Sequence, residues 1–196
     1  PINDLANFSP NTLKNLNNGN HGLSIPEGSI SFCTNEALQR ITFEDESIEG
    51  ALFEDFSNLL GKSDEAHSDN PQIRAKAISA INDEIGSASQ TKDDYVFFER
   101  CGFDHITVDE AHRFKNLFRV PRSSKPDSKG MSQEFPGLGQ GKPSMRAMKM
   151  FAITQMVQRN NDNRNVFMLT ATPFTNSPLE VYSMLSYIGR QQLKSS

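Results

Sequence analysis

Residues 105–118 read HITVDEAHRFKNLF. The run from His105 to Val108 is short and β-branched, which predicts a strand, and it stops at two adjacent carboxylates, Asp109 and Glu110. Open α/β sheets place their ligand chemistry just beyond the carboxyl ends of parallel strands. The fold therefore turns on whether the flanking sequence supplies parallel partners for this strand.

Downstream, residues 119–143, RVPRSSKPDSKGMSQEFPGLGQGKP, are too rich in Pro, Gly, Ser and Lys for a regular element, and loops of that length inside a domain tend to be functional or disordered. A helix capped near Ser144 follows, with Met145, Met148, Ala152 and Met156 on one stripe, a pattern that fills a core. NVFMLT predicts a buried strand. SPLEVYSMLSYIG predicts a helix with a capping box from Ser177 to Glu180, Pro178 at its first position and Gly189 at its end.

Upstream, residues 1–28 are rich in Asn, Gly and Pro and predict an irregular segment without a strong element. SISFCT, 29–34, predicts a short strand. Ile48, Leu52, Phe56 and Leu59 share a helical stripe between Ser47 and a Gly61 stop, and Ile73, Ala77, Ile81 and Ile85 share another between Pro71 and Gly86. Residues 93–104 predict a helix-like piece broken at Gly102. Strands and helices in this alternation argue an α/β domain with a mostly parallel sheet, occupying residues 29–196.

Composition narrows the class. No apolar run approaches the roughly 20 residues of a membrane span and no signal segment opens the chain, so a soluble, cytoplasmic protein without membrane association is expected. Cys33 and Cys101 give no disulfide framework. The chain begins at Pro1 without a Met, as a piece of a longer protein would. Its formal charge of −4 hides an asymmetry: 20 acidic and 7 basic residues precede Arg113, whereas residues 113–149 hold 9 basic and 2 acidic. That basic stretch reads either as a solvated loop or as a phosphate-contacting surface. In the second reading Arg113, Lys115, Arg122, Lys125, Lys129 and Lys142 are the contacts, sequence-independent and salt-sensitive.

Adjacent carboxylates at a strand end suit nucleotide hydrolysis, which needs a metal held against phosphates and a group that positions or deprotonates water. His112 stands two residues on, and LTATP follows about sixty residues later at the end of the next strand. Here VDEAHRFKNL resembles motif II, and MLTATPFTNSP motif III, of superfamily 2 helicases in the Swi/Snf-like branch. The flanking CGFDH and the segment from SMRAMKMF to SYIG are similar to helicase-like proteins of phages, plasmids and mobile elements, often joined to adenine-specific DNA methylases; SFCTNEALQRI extends the likeness upstream.

The resemblance implies a RecA-like, P-loop NTPase-type lobe, with ATP and magnesium as cofactors and duplex DNA as partner. It would have Asp109 reach the magnesium of ATP through water and Glu110 activate the hydrolytic water. His112, Thr170 and Thr172 would couple the nucleotide state to the nucleic-acid path and a second lobe. The alternatives are Thr170 and Thr172 as residues that satisfy their own turn, and Asp109 and Glu110 as a surface capping pair.

One departure limits this. No G-x-x-x-x-G-K-[ST] cradle occurs in these 196 residues: PGLGQGKPS, 136–144, has Pro136 where the first Gly belongs, Pro143 after Lys142, and no strand before it. The expectation is therefore the later half of a first helicase lobe, lacking the Walker A strand and loop and inactive alone. The missing segment, a second RecA-like lobe and any methylase domain would lie elsewhere in the parent chain. The rival expectation is a degenerate lobe kept as a DNA- or protein-binding scaffold. A second Asp64-Glu65-Ala66-His67 lacks a preceding strand and is coincidental. Cys101, His105 and His112 match no common zinc spacing.

Overall fold

The structure, a computed structural model, describes residues 2–5, 11–12, 25–44, 47, 52–60, 68–85, 96–118, 143–175 and 177–194. The chain divides into two compact units, Pro1–Asp55 with Asp64–Asp104, and Phe56–Ser63 with His105–Ser196.

In the first unit, β1 (Ile2–Asp4) pairs in parallel with β2 (Ile30–Phe32), and Leu5 N–H extends the ladder to Phe32 O at 2.6 Å. Part of the segment expected to be irregular is thus a strand. Two apolar positions around a polar pair are a weak periodic signal, and the strand is held instead by long-range pairing and by buried Asn3, whose Nδ2 donates to Ser29 Oγ (3.0 Å) and Ser31 Oγ (3.2 Å). A 3-10 turn at Ala37–Arg40 leads into β3 (Ile41–Thr42), parallel to β4 (Val96–Phe97). Among its described residues, the helix-like piece before Gly102 therefore holds this strand and is helical only over α3 (Phe98–Cys101), which Gly102 ends in the left-handed region at φ 73°.

Helix α1 (Phe53–Leu59) follows buried Leu52. Helix α2 (Pro71–Ile85) starts at its proline, with Asn70 Oδ1 accepting the Gln72 N–H at 2.9 Å. Ala77, Ile81 and Ile85 form its buried face, whereas Ile73 is 41% exposed, one turn short of the packed region. Gly61, Gly86, Ile48 and residues 64–67 lie outside the described residues.

The second unit runs β5 (Ile106–Val108), a 3-10 turn (Ala111–Phe114), α4 (Met145–Asn160), β6 (Val166–Met168) and α5 (Pro178–Lys194). β5 and β6 are parallel, with Val108 opposite Met168. All described strands pair in parallel, as the alternation predicts, but in two-stranded sheets rather than one continuous sheet. NVFMLT, expected to be buried, leaves Phe167 53% and Leu169 50% exposed, because among the described residues β6 has one neighbouring strand and one covered face.

Helix α4 is the core of this unit, with Met148, Met150, Phe151, Ala152, Ile153, Met156 and Val157 buried; Met145, expected on the same stripe, is exposed at its first turn. Ser144 caps it, Oγ accepting the Ala147 N–H at 3.1 Å. Phe56 and Tyr187 pack edge-on against Phe151 at 6.0 and 6.3 Å. The buried Tyr187 hydroxyl lies 2.8 Å from Phe114 O and 3.2 Å from Ala147 O, joining the 3-10 turn, α4 and α5. Gly189, expected to end α5, kinks it (φ −148°, ψ 41°), and the helix resumes to Lys194. The carbonyls of Ser186 and Tyr187, just before the kink, accept from Gln155 Nε2 (3.3 Å) and Gln158 Nε2 (3.2 Å) of α4. Among the described residues no helix is long and apolar enough to cross a membrane.

Two outcomes follow from this core. Tyr187→Phe removes the one buried hydroxyl proton that Phe114 O and Ala147 O share and should cost about 1–2 kcal/mol in urea unfolding. Burial pulls the Lys149 ammonium down to about 8 from an ordinary 10.5. Between those values the unfolded chain holds a proton that the folded chain does not, so stability climbs with pH across that window. Lys149→Met should abolish the climb, so that the wild-type minus variant difference in unfolding free energy changes by at most about 3 kcal/mol from pH 7 to 10.

Candidate functional site

The backbone ladder does not stop with β5 and β6. Leu169 N–H donates to Val108 O at 2.8 Å and Ala111 N–H to Leu169 O at 2.9 Å, so the turn after β5 is stitched to the segment after β6. Asp109 and Glu110 form that turn. Asp109 Oδ1 accepts the Glu110 N–H at 2.9 Å, and Glu110 sits in the left-handed region (φ 51°, ψ 43°). Beneath them Ala111, Phe114 and Leu117 are fully buried, which pins the apolar side of the turn and leaves both carboxylates exposed.

His112 stands between the two segments. Its Nδ1 is 3.1 Å from Glu110 Oε2 and 3.5 Å from Thr170 Oγ1. A proton on Nδ1 would serve the carboxylate, the stronger acceptor. Thr170 Oγ1 accepts the Thr172 N–H at 3.1 Å, so this hydroxyl satisfies its turn and also faces the histidine. The structure thus brings Glu110, His112 and Thr170 together, beside Asp109 and Thr172.

Of the expected nucleic-acid contacts, Arg113 is exposed next to the turn. Lys115 is engaged internally: its ammonium is 3.1 Å from Glu180 Oε1 and also hydrogen-bonds Thr175 Oγ1, and only 19% of its side chain and 9% of that of Glu180 are exposed. Glu180 Oε2 accepts from Thr175 N–H (2.9 Å) and Thr175 Oγ1 (3.0 Å). The capping box is therefore modified. Ser177 Oγ accepts the Leu179 N–H at 3.2 Å, while the glutamate bonds Thr175 and Lys115. Sequence reasoning missed this pair because a lysine in a basic run gives no sign of a carboxylate partner 65 residues on. Arg122, Lys125, Lys129 and Lys142 lie outside the described residues. At the borders of that stretch, Ser144 N–H donates to Asn116 O at 3.0 Å, so the chain leaves and returns at neighbouring points.

The remaining candidates have structural roles. His105 Nε2 is 2.9 Å from Thr107 Oγ1 and its ring stacks on Phe167 at 5.2 Å. The Cys101 thiol is buried and pushed up to about 12, chiefly by burial and then by Glu99, which disfavours the thiolate a nucleophile needs. Among the described residues no three His, Cys, Asp or Glu side chains converge on a metal position. Magnesium bound with a nucleotide needs no such cluster: it keeps several waters and takes one or two carboxylates plus phosphate oxygens, which an exposed Asp109 fits.

The family model described as "Probable helicase domain" matches residues 37–196. Defense against restriction protein B of Escherichia phage P1 is 23% identical over 158 residues, which is 79% of this chain and 7% of that protein. No solved structure matches.

The left-handed backbone at Glu110 strains a residue with a Cβ. Glu110→Gly should therefore raise the unfolding free energy by about 0.5–1 kcal/mol in urea titrations, despite removing the contact to His112.

Proposed function

This chain belongs to the probable helicase domain family, and from that premise we propose that it is the later part of a RecA-like ATP-binding lobe in a Swi/Snf-like, superfamily 2, DNA-stimulated ATPase. The observation that carries this reading is the joining of the Asp109–Glu110 turn to the Thr170–Thr172 segment through the Ala111–Leu169 hydrogen bond, with His112 between them.

Bound ATP with its magnesium supplies the phosphoanhydride and the charge that the carboxylates answer. Asp109, whose Oδ1 accepts the Glu110 N–H, is the residue that would hold the magnesium through water. Glu110 accepts the proton of the attacking water at its carboxylate, and the Nδ1–H of His112 fixes Oε2. Thr170 and Thr172 relay displacement of that turn to the nucleic-acid path. Arg113, with Arg122, Lys125, Lys129 and Lys142, contacts duplex phosphates. Lys115, held by Glu180, frames the site instead.

The cradle for the phosphates and the second lobe come from the rest of the parent polypeptide, as does any adenine-specific methylase. The great length of the phage protein beside this chain accords with such a parent, which we place in the cytoplasm of a cell carrying a mobile element. A second reading, a non-hydrolysing lobe that serves as a DNA- or protein-binding scaffold, draws on the absence of G-x-x-x-x-G-K-[ST] from these residues.

ATP hydrolysis by the parent protein, with and without duplex DNA, separates the two. The motor reading expects DNA-stimulated turnover that falls at least about 100-fold in Glu110→Gln. A parent that binds DNA without turnover would transfer the reading to the scaffold.

A further inference from the structure

After β6, the described residues 170–175 form a segment with few anchors of its own. Its ladder contact ends at Leu169, the Thr172 N–H is taken by Thr170, and Phe174 is exposed. What returns it to the fold is Thr175, whose N–H and hydroxyl both meet Glu180 Oε2. Glu180 belongs to the first turn of α5, where a negative charge is favoured by the helix dipole, and its second oxygen is held by Lys115. Lys115 is the residue directly after the 3-10 turn, and its own N–H bonds back to His112 O at 3.3 Å. Lys115 thus joins the carboxylate-bearing turn through its main chain, while its largely shielded ammonium holds Glu180 and Thr175. Screened from water, that attraction is stronger and more geometrically demanding than a surface pair.

We infer that Lys115 is a positioning residue: with Glu180 and Thr175 it forms a latch that holds residues 170–175 in register with the Asp109–Glu110 turn. The latch sets the separation of His112 and Thr170 and makes the turn and the segment move together. It deepens the proposed ATPase and, in its effect on turnover, rests on that reading.

The test uses the parent protein with Lys115→Met, Lys115→Arg, Thr175→Val and Glu180→Gln, read by amide hydrogen exchange over residues 169–177 and by the kcat and KM for ATP with duplex DNA. Opening of the latch should speed exchange in that segment by about tenfold in Lys115→Met, and by a smaller factor in Thr175→Val, where only a hydroxyl is lost. The kcat should fall by about tenfold with KM unchanged, and Lys115→Arg should recover most of both losses. Unchanged exchange in Lys115→Met and Thr175→Val overturns the latch; where Lys115→Met does not fold, Thr175→Val decides. A rise in KM without a fall in kcat overturns the positioning role. A wild-type parent without ATP turnover sinks the ATPase reading, and the exchange data still decide the latch.

Discussion

Parallel pairing of β5 and β6 sends two chain segments out of the same sheet edge, and a pair of backbone hydrogen bonds keeps them together after the strands end. Leu169 gives its N–H to Val108 and receives that of Ala111, so the carboxylate turn and the start of the threonine segment cannot part without breaking these hydrogen bonds. Antiparallel strands would have put these groups at opposite ends of the pair. Every side-chain contact in the site, from His112 on Glu110 and Thr170 to Lys115 on Glu180, depends on that common edge.

The packing below the edge explains why so small a sheet can hold a strained turn. Phe114, Phe151 and Tyr187 are buried together, and the tyrosine hydroxyl reaches main-chain carbonyls of both the 3-10 turn and α4. The α5 kink is likewise answered from α4, by Gln155 and Gln158. Rigid support of this kind is what allows Glu110, a residue with a Cβ, to remain in the left-handed region; strain of this sort gathers where a side chain must be aimed.

Much of this was legible in the residues. The strand before Asp109, the Ser144 cap, Pro178 at the head of α5 and the buried stripe Ala77–Ile81–Ile85 all follow from local rules of period and capping, and each is present. His112 and Thr170 lie far apart in the chain, and their side chains approach to 3.5 Å. What escaped was non-local. β1 has too little periodicity to announce itself, and β6 looked buried because its composition is apolar, although burial depends on how many neighbours a strand finds. Lys115 carried the same letter as its basic neighbours, and only the fold reveals its carboxylate. Gly189 bends a helix instead of ending it because the carbonyls before it find donors on another helix.

The most direct test of the central claim is an experimental structure of the parent protein with magnesium and a non-hydrolysable ATP analogue. The account requires the terminal phosphate to face the Asp109–Glu110 turn, with the metal's water shell against Asp109 and the Ala111–Leu169 hydrogen bond intact. A nucleotide seated away from that turn, or a parent that retains none, would contradict it.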